Sequence, residues 1–280
     1  MSSILTNNSA MVALQTLKSI NSDLSKTQSM ISTGKEVASA KDNSALWAIS
    51  KVMESDVAGF KSISDSLSLG ESTVAVASAG AETIVETLKE MKQLAISAQS
   101  ENVDFAKVQA NMAEYSAQIT SIVSASQFNG ANLLATDVDG NGATSLTVLT
   151  SLDRVGSGAP TAATLSIASI DFEAIDVEGT LTAITDATTA ATALGELEGF
   201  LNTAIDGAAA LGASAGRLSS QNEFIGKLTD AMKSGIGTLV DADMEEASAR
   251  LQALQVQQQL GVQSLSIANQ APQTILSLFR

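Results

Sequence analysis

The 280-residue sequence contains no cysteine and no histidine. Disulfides, cysteine- or histidine-ligated metal sites and every histidine-based catalytic dyad or triad are thereby excluded. Aromatic residues make up only 3%, few rings for the interior of an enzyme this long. Proline occurs only at Pro160 and Pro272, so little of the chain is barred from helix. Positive charge is scarce as well: 15 Lys and Arg stand against 30 Asp and Glu, a net charge of −15. Nucleic-acid binding draws much of its affinity from neutralising phosphates, so this balance argues against a nucleic-acid partner. It argues equally against an anionic membrane surface. No apolar run approaches the roughly 18 residues of a membrane span. The opening MSSILTNNSAMVAL has neither a basic n-region nor an apolar core, so no cleavable signal peptide is expected.

What is present is heptad periodicity. Steps of four and three residues run through Ala10, Leu14, Leu17, Asn21, Leu24, Gln28 and Ile31. A second track runs from Ile63 through Leu67, Gly70 and Val74 to Ala98, and a shorter one takes in Val108, Met112, Tyr115, Ile119 and Ile122. A fourth extends from Leu194 to Leu239, and the last joins Ala247, Leu251, Leu254, Gln258, Gly261, Leu265 and Ala268. Sustained 3.5-residue spacing is the requirement of a coiled-coil seam. Gly207, Gly212 and Gly216 argue for an interruption within the fourth track. Polar seam residues (Asn21, Gln28, Asn222 and Gln258) cost stability but fix register and partner number. With few large apolar residues, either terminal arm alone is a marginal helix that needs partners.

The middle differs. From Ala135 to Ala193 the heptads stop, and TSLTVLT (Thr144–Thr150) and ATLSIAS (Ala163–Ser169) alternate apolar and polar residues as half-buried strands do. GSGAP (Gly156–Pro160) reads as the turn between them. Between Asp137 and Asp206 there are eleven acids and one base, Arg154, so this segment holds −10 of the charge. A polar, acidic insert of this kind is expected to face solvent at the far end of two helical arms that return alongside each other.

Two acidic motifs invite chemistry. DVDGNG (Asp137–Gly142) opens like a calcium loop, but the twelfth position, which needs a bidentate Glu, is Val148. A glycine turn leading into a strand is the better reading. DADMEEA (Asp241–Ala247) reads as a helix start, with Asp241 or Asp243 as the cap and acids complementing the helix dipole. No Gly-Lys-Ser/Thr follows a strand, so no nucleotide site is expected, and no cofactor is called for.

Several longer stretches together resemble bacterial flagellin. ISTGKEVASAKDNSALWAIS (Ile31–Ser50) is similar to the turn after that family's first helix, and QFNGANLL (Gln127–Leu134) to the motif closing its N-terminal arm. LGASAGRLSSQNEF (Leu211–Phe224) and the stretch from Asp241 to Arg280 resemble its C-terminal arm. The likeness covers about residues 1–135 and 195–280 and is nearest to flagellins of soil-dwelling alphaproteobacteria.

The fold so expected is mainly α: a long coiled-coil-like helical bundle formed by the N- and C-terminal arms, with a small β-containing insert. The resemblance implies terminal inner-tube helices over 1–40 and 240–280. It implies a rod-shaped helical bundle over 41–135 and 195–239 and a small, surface-exposed variable insert over 136–194. It implies a non-enzymatic subunit that self-assembles into the extracellular flagellar filament through heterologous contacts that do not close. Filament packing would rest on Leu14, Leu17, Leu24 and Ile31 with Leu251, Leu254, Leu265 and Ala268. Implied partners are other flagellin subunits, sister flagellins among them, and an export chaperone, the cap and hook-junction proteins.

The alternative is another extracellular coiled-coil protein, such as a hook–filament junction protein. Junction proteins usually lack the FNG and DADM motifs together. An adhesin stalk would carry a cleavable signal, and an inserted metalloprotease would need histidine.

The family's contact stretch for the vertebrate innate receptor typically reads Q-R-x-R-E-L-A. The matching residues here are KEMKQLA, with Lys89, Glu90, Lys92, Gln93 and Leu94. Glu90 stands where Arg is usual and Gln93 where Glu is usual, so weak receptor activation is expected.

Overall fold

The computed structural model describes residues 7–100, 102–154, 158–173 and 177–278. Among the described residues, six helices and one hairpin follow in the order α1 (Asn8–Thr33), α2 (Ser44–Ser97), α3 (Phe105–Ala125), β1 (Ser145–Asp153), β2 (Thr161–Ala168), α4 (Val177–Thr180), α5 (Ala187–Val240) and α6 (Met244–Leu278). The chain divides into two compact units, one of Asp56–Asp230 and one of Met1–Ser55 with Ala231–Arg280. The division falls inside α2 and α5.

In the larger unit, the second heptad track forms the buried stripe of α2. Ile63, Leu67, Val74, Ala77, Ala81, Ile84, Leu88, Met91, Ala95 and the adjoining Ala98 are all buried. The facing stripe of α5 buries every seventh residue, Leu197, Ala204, Leu211, Leu218 and Ile225. Leu201 of the same track is buried as well, while Leu194, Ala208 and Ala215 are half-buried. Lys92 pairs with Glu198, and the Ser64 hydroxyl donates to Asn222 Oδ1 at 2.7 Å. Residue numbers that fall on one helix as they rise on the other make the two stretches antiparallel. Asn222 therefore sits in the seam with a polar partner. On α3, Val108, Met112 and Ile119 are buried as the spacing predicts, while Ser116 and Val123 replace Tyr115 and Ile122 at the most buried positions.

The expected interruption of the fourth track is absent: α5 is one helix of 54 residues through Gly207, Gly212 and Gly216. The helix tolerates each glycine at roughly 1 kcal/mol because burial of its stripe outweighs that cost. Gly207 also has a packing reason. A Cβ there would lie 2.7 Å from Ile170 Cγ2.

The hairpin is antiparallel, with Ser145 opposite Ala168 and a bulge between Leu149 and Ser151. Both strands match the alternating stretches in the sequence. Of the Gly156–Pro160 turn, residues 156 and 157 lie outside the described residues, as do Phe279 and Arg280. The hairpin does not stand off at the far end of the arms but lies back against the helices. Gly70 of α2 admits Val148, whose Cγ2 would be 2.7 Å from an added Cβ, and Gly59 admits Leu152 in the same way. Gln221 of α5 donates to the Thr150 carbonyl at 2.9 Å. Arg154, the one base of the acidic segment, grips Asp56 through Nε and Nη2, with 2.6 Å from Nη2 to Oδ1. The sequence reading missed this because a residue count gives the net charge of the insert but not the direction of its apolar face. Val148, Ile167 and Phe172 are buried, while Thr147, Thr164 and Ser166 are exposed together with Leu149.

The DVDGNG stretch is the expected turn. Asp137 accepts from the amides of Asp139, Gly140 and Gly142, and Asp139 from those of Asn141 and Ala143. Both carboxylates thus serve the loop's own backbone. The first of these bonds, from Asn141, is the chief reason that the Asp139 carboxyl is held below the usual carboxylate range.

Candidate assembly surface

The smaller unit is built on the two terminal helices. Asn7 caps α1 by accepting from the Ala10 amide, and Gly34 ends it at φ 68° with its N–H on the Met30 carbonyl. Asp243, the second of the two acids considered, caps α6 by accepting from Glu245 and Glu246. Beyond α1 the chain pairs with the end of α5: Glu36 donates to the Val240 carbonyl at 2.8 Å, and Ala242 to the Gly34 carbonyl at 3.0 Å. These bonds clamp the STGKEV turn to the DADM segment. Glu54 is held below the usual carboxylate range, first by the hydrogen bond from Lys51.

From that clamp α1 and α6 run antiparallel. Gln258 donates to Asn21 Oδ1 at 2.7 Å, and Asn7 donates to the Ala268 carbonyl at 2.7 Å. Between these bonds Gly261 lets the helices approach, with Leu17 Cδ1 only 3.0 Å from where a Cβ would stand. Two polar seam residues from different tracks are thereby brought together, a pairing that no single-helix pattern contains. Gln28 is exposed.

The packing residues named from the sequence divide by exposure. Leu254 is buried, while Leu17, Leu24, Ile31, Leu251, Leu265 and Ala268 are half-buried on the α1 and α6 seams. Leu14 points away and is 57% exposed. More than half exposed as well are Met11 and Val12 on α1 and Val256, Leu260, Val262 and Ile267 on α6, of which Val256, Leu260 and Ile267 share one face of their helix. An open groove between the helices is lined in part by Val12, Ile20 and Leu260. The sequence did carry a signal for that face. Val256, Leu260, Gln263 and Ile267 repeat the four–three step on a face of α6 other than the seam. A second apolar stripe on a helix whose first stripe is occupied is the pattern of an element with two partners.

The KEMKQLA stretch lies on α2 in the larger unit. Met91 and Ala95 are buried, Leu94 and Lys92 are half-buried, and Lys89, Glu90 and Gln93 are exposed. Lys89 pairs with Glu86 one turn back at 2.7 Å. Among the described residues no group of acids could hold a metal ion, and no helix is long and apolar enough to cross a membrane.

Residues 4–139 match the bacterial flagellin N-terminal helical region and residues 177–279 the flagellin C-terminal helical region. The chain belongs to the bacterial flagellin family. Over its full length it is 41% identical to flagellin FljK of Caulobacter vibrioides and 41% identical to a flagellin of Brucella melitensis, spanning 99% and 100% of those proteins. It is 36% identical to flagellin C of Rhizobium meliloti over the whole of both chains. The crystal structure of Bacillus cereus flagellin aligns at TM-score 0.48 and 22% identity, over 59% of this chain and 88% of that one. As a flagellin, the chain is a structural subunit of the extracellular flagellar filament and not an enzyme. It polymerises with other flagellin subunits.

Proposed function

We propose that residues 1–40 and 240–280 form the inner tube of the filament and that 41–135 and 195–239 form the bundle around it. Residues 136–194 would then face outward. The observation that carries this reading is the set of exposed apolar residues on α1 and α6, among them Leu14, Val12, Leu260 and Ile267. Burying these residues against neighbouring subunits supplies the drive for growth, against the mutual repulsion of subunits that each carry a net charge of −15. Leu17, Leu24, Ile31, Leu251, Leu254, Leu265 and Ala268 complete the packing from the seam side. The subunit leaves the cell without a cleavable signal peptide, is delivered by an export chaperone, and adds beneath a cap on hook-junction proteins. Four flagellins of Caulobacter vibrioides, 39–41% identical to this chain, support mixed filaments with sister flagellins. The altered KEMKQLA stretch makes the monomer a weak activator of the vertebrate receptor.

Limited proteolysis tests the assignment. Cleavage of the free monomer should begin near 1–40 and 240–280, and the assembled polymer should protect both ends. Ends that are equally resistant in the monomer and the polymer would contradict it.

A further inference from the structure

The sequence contains two Asn-Gly pairs, Asn129–Gly130 and Asn141–Gly142, and the fold treats them differently. All four residues are exposed. Asn129 and Gly130 are the two central residues of a tight turn closed by Phe128 and Ala131, whose amides and carbonyls exchange bonds of 2.9 and 3.0 Å. Both have positive φ, 51° for Asn129 and 83° for Gly130. Asn pays a steric penalty in that region that Gly does not. An added Cβ at Gly130 would meet nothing within 4 Å, so no neighbouring side chain crowds the turn. At the second pair the amide is occupied. Gly142 donates its N–H to Asp137 Oδ2 at 2.8 Å, Asn141 donates its own N–H to Asp139 Oδ1 at 2.9 Å, and the Asn141 side-chain amide donates to the Asp139 carbonyl at 3.2 Å.

We propose that Asn129 is a site of spontaneous deamidation in this subunit and that the Asp137 carboxylate shields Asn141 from the same reaction. The Gly130 amide nitrogen, after losing its proton to solvent, attacks Asn129 Cγ. The new C–N bond closes a five-membered imide, and the side-chain amide leaves as ammonia carrying a proton from water. Water then opens the imide at either carbonyl to give aspartate or isoaspartate. No glycine side chain obstructs the attack, which is why the pair matters more than asparagine alone. At Gly142 the same nitrogen must first give up a hydrogen bond to a charged acceptor, and its deprotonation beside a carboxylate is disfavoured.

The product has structural consequences. Isoaspartate adds a methylene to the main chain in a two-residue turn and breaks the Phe128–Ala131 pairing. That turn delivers Leu133 and Leu134, both fully buried, to the core of the larger unit. The reaction therefore acts as an ageing clock on the free subunit.

Peptide mapping by mass spectrometry of the purified full chain, held as monomer at neutral pH and physiological temperature, tests this. Asn129 should gain one mass unit, with isoaspartate as the main product, roughly tenfold faster than Asn141, the order one charge-assisted hydrogen bond supplies. In denaturant the two sites should convert at similar rates, so that the difference belongs to the fold. Asp137→Ala should raise the Asn141 rate toward that of Asn129. Retention of the Asn129 amide, or equal rates at both sites in the folded chain, would overturn the proposal.

Discussion

Gln258 on α6 donates its side-chain amide to Asn21 Oδ1 on α1 at 2.7 Å, joining positions 237 residues apart in a seam whose other positions are mostly Leu, Ile and Ala. Two leucines there would bury more apolar area but would fit a shifted register as well. The pair therefore selects one alignment of the terminal helices. Combining Asn21→Leu with Gln258→Leu should raise the thermal stability of assembled polymer, by about 1 kcal/mol per subunit, from added apolar burial. The yield of regular filaments should fall. Differential scanning calorimetry and electron micrographs read the two effects, and a stabilised variant that assembles with unchanged regularity would remove the register role.

Glycines of α5 separate packing from propensity. Gly207→Ala should destabilise the larger unit by about 1–3 kcal/mol, because the new methyl overlaps Ile170. Gly212→Ala meets nothing within 4 Å and should stabilise it by about 0.5–1 kcal/mol through helix propensity. Chemical denaturation of both variants decides, and the same sign for both would show that Ile170 moves aside freely.

Much of this architecture was legible in the sequence. The Ile63–Ala98 track is buried at every position because a helix packed on both sides of one seam leaves the four–three rule nothing to compete with. The two strands were legible from alternation, and the Asp243 cap from its acids. The continuity of α5 was not, because glycine propensity is local while the burial that overrides it comes from α2 and Ile170. The Arg154–Asp56 grip was not legible either, since a contact across 98 residues leaves no periodic trace. At the candidate surface the four–three step marks the seam track, of which Leu14 is nonetheless exposed, and it does not single out the outward stripe through Leu260 and Ile267, because the first stripe already accounts for the helix.

Acid should loosen the start of α5. Asp186 accepts from the amides of Thr188 and Thr189, each at 2.8 Å, and the bond from Thr189 is the main reason its pKa is lowered. A carboxyl with a depressed folded-state pKa adds stability above its unfolded pKa and loses it as pH falls through the folded value. The amides near Thr188 and Thr189 should therefore lose hydrogen-exchange protection below the ordinary carboxylate range and keep it at neutrality. Asp186→Asn retains a capping oxygen without the charge and should flatten this dependence. An identical pH profile for the variant would assign the effect to other groups.

The KEMKQLA stretch should make the monomer a weak receptor agonist. Glu90 and Gln93 are exposed, so the Glu90 carboxylate and the neutral Gln93 amide face any partner that binds this part of α2. Exchanging Glu90→Arg and Gln93→Glu together should raise potency in a reporter-cell dose–response by at least tenfold, since truncating one partner of a buried interfacial charge pair costs about 2–5 kcal/mol and reversing it at least as much. Full potency of the unaltered chain would refute this.

The most direct test of the account is electron microscopy of purified subunit after seeding, comparing the full chain with one ending at Asp243. The full chain should extend into long helical filaments. The truncated chain lacks α6, the Asn21 partner and the apolar stripe through Val256, Leu260 and Ile267, so it should form none while the core of the Asp56–Asp230 unit stays folded by circular dichroism. Filaments of equal length from the truncated chain would contradict the claim that the terminal helices drive assembly.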